Sequence, residues 1–278
     1  MPTQKTNQSL KTEQPIGIFD SGIGGLTVAH AIHQLMPAET LVYFGDTAHL
    51  PYGEKSTAAI KSYSLHIADF LLKHKCKIIV IACNTASAIA WKVVHDHVGS
   101  KIDVINVIDP VVNAVVKSNA KHVGVIGTNN TIKTNTYAEK ILEANNMLQV
   151  SSLATPLLAP MIEEGFFNNK ISKTIINDYL SRPKLKNIDS LILACTHYPL
   201  IKSEIESYYK GKAIIIDSAE IVAQHVKQIL QNKKLLHKGE ARKHHFYVSD
   251  YTESFERSTR FFFKGKIKLE LQNIWKAF

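Results

Sequence analysis

Short runs of apolar residues alternate with longer amphipathic stretches through most of the chain. The runs IGIF (16–19), LVYFGD (41–46), KIIVIAC (77–83) and DVINVI (103–108) are apolar without alternation, the pattern of parallel strands buried on both faces. Between them, residues 26–36, 56–74 and 85–98 carry apolar side chains at helical spacing. The rhythm then repeats, with helices predicted at 111–118, 136–146 and 171–180 and strands at 122–128, 148–153 and 190–195. A helix at 200–209, strand at 213–217, helix at 218–230, strand at 244–250 and helix at 255–262 complete it. The expected fold is α/β: two similar domains with mainly parallel sheets and a site in the cleft between them. Residues 1–14 are polar and offer little to bury, so a flexible tail is expected there, with the fold beginning at Pro15. Two lobes of near-equal length leave the last segment over. It is expected to cross back, giving a first domain of 15–106 plus 217–278 and a second of 107–216.

A length of 278 residues suits one large or two modest domains, and 45% hydrophobic with 21% charged content excludes collagenous or wholly disordered chains. No apolar run approaches the roughly 18 residues of a membrane span, and the polar N-terminus lacks a signal-peptide core, so a cytoplasmic location is expected. Cys76, Cys83 and Cys195 fit neither a disulfide framework nor a zinc spacing, and are expected as reduced thiols. No metal is expected. The net charge of +9 raises nucleic acid as a partner. Thirteen Lys/Arg against seven Asp/Glu in residues 211–278 carry most of the excess. They are interspersed with acids and no nucleic-acid motif accompanies them, so a solvated basic surface is the preferred reading. A basic binding protein stays as the rival, separable by the salt dependence of duplex binding.

Three constellations carry candidate chemistry. Phe19-Asp20-Ser21-Gly22-Ile23-Gly24-Gly25 joins a strand to a helix and forms an anion cradle, although a tight turn capped by Asp20 or Ser21 explains the same residues. Ala82-Cys83-Asn84-Thr85 and Ala194-Cys195-Thr196-His197 each place a cysteine at the end of a buried strand, with hydrogen-bonding side chains following. Ligands of open α/β sheets bind beyond the carboxyl ends of strands, so both thiols fall where chemistry is expected. Cys76 reads as a small buried hydrophobe. Two thiols approaching one carbon from opposite faces suit amino-acid racemisation, in which a proton leaves one face and another arrives on the other. His197 is placed to assist Cys195, and Asp20 is the nearest candidate to assist Cys83. A hydrolase with Cys195 as nucleophile and His197 as base is the competing enzymatic reading, but it uses only one cysteine and lacks a glycine-flanked elbow.

FDSGIGGLTV, YFGDTAHLPYG, ACNTASA, GVIGT and LACTHYPL, in this order and at these separations, resemble the glutamate racemases. The resemblance runs from about Ile16 to the end of the chain; aspartate racemases share the cysteine pair and match the first two motifs less closely. It implies a cofactor-independent isomerase supplying D-glutamate for peptidoglycan, and so for cell-wall biogenesis. It also implies a homodimer of two-domain chains. Cys83 and Cys195 would be the proton donors and acceptors. Asp20, Ser21, Tyr52, Gly53, Asn84, Thr85, Thr196 and His197 would bind glutamate, and Asp46, Glu163, His197 and Asp20 would be the ionisable helpers. The family often has Arg where this chain has His49, and Cys-Pro where it has Thr155-Pro156. The polar N-terminal segment resembles, weakly, the extension of members activated by a peptidoglycan precursor.

Overall fold

A computed structural model describes residues 10–263 and 265–275. The first run of elements is β1 (Ile16–Asp20), α1 (Leu26–Leu35), β2 (Leu41–Gly45), α2 (Thr57–Lys73), β3 (Ile78–Ile81), α3 (Asn84–Val98), β4 (Asp103–Asn106) and α4 (Ile108–Val116). The second is β5 (His122–Gly127), α5 (Asn129–Lys133), α6 (Thr136–Ala144), β6 (Gln149–Ala154), α7 (Leu158–Glu163), α8 (Lys170–Leu180), β7 (Ser190–Ala194), α9 (Lys202–Tyr209) and β8 (Ile214–Asp217). The chain closes with α10 (Ser218–Asn232), β9 (His245–Val248), α11 (Glu253–Phe263) and β10 (Leu269–Leu271).

Two sheets result. One has six strands in the order β10-β9-β2-β1-β3-β4, the other four in the order β6-β5-β7-β8, and every pairing is parallel. Helices cover the strands, so β1, β2, β3 and β7 are buried along their whole length. This is why their sequences are continuously apolar. β9 and β10 join the first sheet beside β2, more than 190 residues after β2 in the chain.

Several boundaries differ from the sequence pattern for local reasons. The strand expected over 103–108 stops at Asn106, whose side-chain oxygen accepts from the N–H groups of Ile108 (2.9 Å) and Asp109 (2.8 Å) and so turns the chain into α4. The first nine residues of the expected tail lie outside the described residues. Residues 10–14 make contacts: Leu10 packs against the core around Phe44 and Phe70, and the Thr12 carbonyl accepts from the Lys77 ammonium at 2.6 Å. Lys77 is wholly buried. It also reaches Glu39 at 2.6 Å and the Leu235 carbonyl at 2.9 Å, while the second Glu39 oxygen accepts from the His237 N–H. One ion pair thereby fastens the N-terminal segment and the connector after α10 to the first sheet.

Candidate active site

β2-β1-β3-β4 and β6-β5-β7-β8 have the same internal order, 2-1-3-4, when each run is numbered from its own first strand. In both, the strand order reverses between the first and third strands, whose connections leave toward opposite sides of the sheet, which opens a crevice beyond their carboxyl ends. Ser21 follows β1 and Cys83 lies two residues past β3. In the second sheet, Thr128 follows β5 and Cys195 follows β7. All four residues line one pocket, of about 40 Å³, far below the roughly 300–1,000 Å³ of open small-molecule sites, so its walls stand closed. Leu50, Pro51, Tyr52 and Gly53 wall it on the side of the first sheet, and Ala159, Pro160 and Glu163 on the side of the second. Cys83 is 5%, Cys195 7% and His197 5% exposed, so a ligand reaches the sulfurs only if the walls part.

Close backbone approach makes this packing possible. A Cβ on Gly24 would stand 2.5–2.6 Å from the His197 ring and the Thr196 hydroxyl, and one on Gly53 would stand 2.9 Å from Thr128 Cβ. Glycine at these two positions lets the walls meet.

Cys83 caps α3. Its sulfur accepts from the Ala86 N–H at 3.4 Å and donates to the Ser21 hydroxyl at 3.6 Å. Burial pushes this thiol up to about 12, and the nearby Asp20 charge adds to the effect against the Ala86 N–H and Ser21 hydroxyl. Cys195 has a different neighbour, His197 Nδ1 at 3.7 Å. On the far side of the ring, Nε2 lies 2.8 Å from Glu163, in an ion pair whose N–H direction misses the carboxylate oxygen. Burial pulls the imidazole down, but Cys195 and Glu163 outweigh it and hold it well above its ordinary value. Burial likewise raises Glu163, and His197 reverses this, leaving the carboxylate below its ordinary value. The two thiols thus sit in unlike fields, one beside carboxylate charge and one beside a protonated imidazole.

Among the residues singled out from sequence, Ser21, Tyr52, Gly53, Cys83, Asn84, Thr85, Glu163, Cys195, Thr196 and His197 line the pocket. Asp20 and Asp46 stand one layer behind. Asp20 shapes the cradle: one carboxylate oxygen accepts from the Gly22 and Gly25 N–H groups at 3.1 and 3.0 Å, and the other has no partner among the described residues. Burial raises this carboxyl, while the His197 charge and the backbone N–H groups counter it. Asp46 accepts from the Tyr52 phenol at 2.7 Å. His49 pairs with Asp46, and Thr155 bonds to the Tyr198 hydroxyl and the Gly127 carbonyl, so neither departure from the family pattern reaches the pocket lining.

Sequence reasoning did not single out Leu50, Pro51, Thr128, Ala159 and Pro160, all of which contribute to the wall. Thr128 could have been found, since it ends a buried apolar run as the cysteines do. Its hydroxyl forms a triangle with those of Thr85 and Thr131, with sides of 2.9–3.0 Å, joining the two halves of the site. Tyr137, also not singled out, donates to the Asn84 carbonyl at 2.7 Å; the Asn84 amide nitrogen is left without a partner among the described residues. Unmatched buried polar atoms are uncommon. Here the Asn84 amide nitrogen, in the pocket wall, is such a donor and suits a carboxylate oxygen.

Residues 16–226 match the family model described as Asp/Glu/Hydantoin racemase. A glutamate racemase from Chlorobaculum parvum is 42% identical over 259 residues, covering 92% of this chain and 95% of that one. Among solved structures, a glutamate racemase from Francisella tularensis in complex with D-glutamate superposes with a TM-score of 0.90 at 38% identity, covering 96% of this chain and 100% of that one. An Escherichia coli glutamate racemase in complex with L-glutamate and the activator UDP-MurNAc-ala has a TM-score of 0.72 at 24% identity, covering 88% and 92%; it shares the fold.

Proposed function

The chain belongs to the Asp/Glu/hydantoin racemase family, and from that premise we propose that its pocket interconverts L- and D-glutamate by two-base proton transfer without an added cofactor. The observation that carries this reading is that two buried sulfurs, each following the third strand of a 2-1-3-4 parallel sheet, line one pocket. The glutamate racemase relatives supply the substrate.

Racemisation breaks the Cα–H bond on one face and forms another on the opposite face. Cys83, pushed up to about 12, enters as a thiol able to deliver a proton. The Cys195 sulfur, 3.7 Å from His197 Nδ1, acts on the other face as the base, beside an imidazole held well above its ordinary value. After one turnover the protonation states of the sulfurs have exchanged, and the reverse reaction uses them in opposite order. Asn84 Nδ2 and the Ser21, Thr85 and Thr196 hydroxyls serve the substrate carboxylates. A wall closed around the substrate strengthens each of these dipoles as carbanion character develops at Cα. Asp20 and Asp46 act on the cradle and on Tyr52.

The same reading assigns a first domain of 15–106 plus 217–278 and a second of 107–216, with sheet membership in support. It also assigns a homodimer in the cytoplasm, supply of D-glutamate for peptidoglycan, and activation by a peptidoglycan precursor. No helix among the described residues is long and apolar enough to cross a membrane.

The test is dialysed protein given L- or D-glutamate, with aspartate as control, followed by circular dichroism and by deuterium uptake at Cα. Glutamate is expected to lose its optical signal from either enantiomer, and Cys83→Ser and Cys195→Ser are each expected to abolish this. Turnover of aspartate alone, or full activity in either serine variant, overturns the reading.

A further inference from the structure

The wall formed by Leu50–Gly53 contains Tyr52, which is 1% exposed. The Tyr52 phenol donates to one Asp46 oxygen at 2.7 Å. Burial and the Asp46 carboxylate push that phenol well above its ordinary value, so it stays a donor. The other Asp46 oxygen accepts, at 2.7 Å, from the hydroxyl of Ser249, a residue 203 positions away at the end of β9. Ser249 Oγ in turn accepts from the Ala48 N–H at 2.9 Å, so it is fixed from both sides. His49 bridges both carboxylate oxygens at 2.9 and 3.0 Å while stacking on Tyr63 with ring centroids 4.0 Å apart. A separate pair of bonds joins Thr47 and Asp250: the Thr47 hydroxyl donates to the Asp250 carbonyl and accepts from the Asp250 N–H.

We propose that Ser249 is a positioning residue for the active site: its hydroxyl orients the Asp46 carboxylate, which holds Tyr52 and with it the pocket wall around the two sulfurs. Three features support this. Asp46 and Ser249 are both buried, at 0% and 2% exposure, so water does not replace the bond when it is lost. A carboxylate swivels about its terminal torsion, which is broad, so its direction is set by its donors. Finally, Ser249 directly follows β9, which pairs with β2, the strand that leads into Asp46, and its own N–H donates to the Gly45 carbonyl at 3.1 Å, so the donor is held against a rigid element. The inference rests on the glutamate racemase reading for its kinetic arm alone.

The experiment compares wild type, Ser249→Ala, Ser249→Cys, Ser249→Thr, Tyr52→Phe, the Ser249→Ala/Tyr52→Phe double variant and Thr47→Val. Ser249→Cys keeps the shape while weakening the donor, and covers a failure of the alanine variant to fold. One readout is the rate at which Cys83 and Cys195 react with a small thiol reagent, which needs no substrate. The other is the split of KM from kcat with glutamate. Labelling is expected to accelerate and KM to rise about tenfold in Ser249→Ala, the weight of one hydrogen bond to a carboxylate. Ser249→Cys moves in the same direction and Ser249→Thr restores both readouts. Ser249→Ala adds nothing to Tyr52→Phe, because the link is already cut. Thr47→Val loosens the same seam without touching Asp46, and is expected to lower Tm and leave both readouts unchanged. Additive effects in the double variant, no rescue by threonine, or equal acceleration in Thr47→Val overturns the proposal. Absence of glutamate turnover in wild type defeats the functional reading instead, and the labelling series still decides the role of Ser249.

Discussion

Gly24→Ala probes the closeness of the two walls. The added methyl would stand 2.5 Å from His197 Cε1, 2.6 Å from its Nδ1 and 2.6 Å from the Thr196 hydroxyl. Carbon atoms in good contact are roughly 3.5–4.0 Å apart, so about 1 Å of movement is required. The neighbours are held: the His197 ring contacts Cys195 on one side and Glu163 on the other, and its edge meets Phe262 with centroids 5.3 Å apart. α1 packs on α10 and α11, and the Thr27 hydroxyl bonds to the carbonyls of both Gly24 and Thr196. The strain of such overpacking is about 1–3 kcal/mol of stability. The imidazole is displaced relative to the Cys195 sulfur, and a misplacement of about 1 Å lowers a rate on the order of 10²-fold. Racemisation of glutamate from each enantiomer, together with a urea midpoint, measures both. Wild-type kcat in a folded Gly24→Ala protein would show that the His197–Cys195 geometry does not govern the rate.

Glu163→Gln removes the charge that holds His197 protonated, so the alkaline limb of kcat/KM moves to lower pH; an unmoved limb refutes the role. The pair also links stability to pH. The raised His197 contributes fully below the ordinary imidazole value, and loses this as pH rises through its folded value. The lowered Glu163 contributes above the ordinary carboxylate value, and loses this as pH falls through its folded value. The difference in stability between wild type and Glu163→Gln should therefore be largest between those two ordinary values and shrink on either side, as chemical denaturation across pH will report. Asn130 donates from α5 to the Tyr52 and Lys55 carbonyls at 2.9 and 2.8 Å. Asn130→Ala should loosen closure by about 1–3 kcal/mol and raise KM roughly 5- to 150-fold, and an unchanged KM counts against a latch. Lys77→Met strands the Glu39 carboxylate in the core and should destabilise by about 3–5 kcal/mol; an unchanged urea midpoint would show that the buried pair is dispensable.

The architecture was legible wherever local pattern and global fold agree. β1, β2, β3 and β7 are buried on both faces, so their composition alone marks them. The elements that escaped notice are those whose formation depends on partners. α5 spans five residues of mostly polar sequence and is started by Thr128, whose hydroxyl accepts from the Thr131 N–H. α7 spans six residues with a proline in its first turn, too short for a 3.6-residue period to register. β10 is three residues of pairing with β9. The docking of Leu10 and Thr12 was invisible for the same reason: a polar segment becomes ordered through Lys77, which a hydrophobic pattern does not weigh.

The candidate site divides along the same line. Cys83, Asn84, Thr85, Cys195, Thr196 and His197 could be named because strand ends are recognisable and chemistry collects beyond them. What local sequence does not contain is the set of second partners: Tyr137 for Asn84 across 53 positions, Ser249 for Asp46 across 203, and the opposed wall of Ala159 and Pro160. These contacts decide which amide nitrogen is left free and which way a carboxylate faces. The duplication explains why the first set suffices to name a reaction. A 2-1-3-4 sheet has one switch point, and two such sheets opened toward each other offer two, each with a residue after its first strand and a thiol after its third. The two copies are chemically unlike only in their neighbours, Asp20 and Ser21 for Cys83, His197 and Glu163 for Cys195. A reaction that moves a proton through a planar carbon needs this asymmetry at rest, since two thiols or two thiolates could not complete a turnover. Removing one neighbour should therefore weaken the bias: in a His197→Asn protein, kcat at saturating substrate should fall more in the direction in which Cys195 removes the proton, with KM falling alongside because an equilibrium constant of one keeps kcat/KM equal from both enantiomers, and an equal fall of kcat in the two directions would refute that assignment.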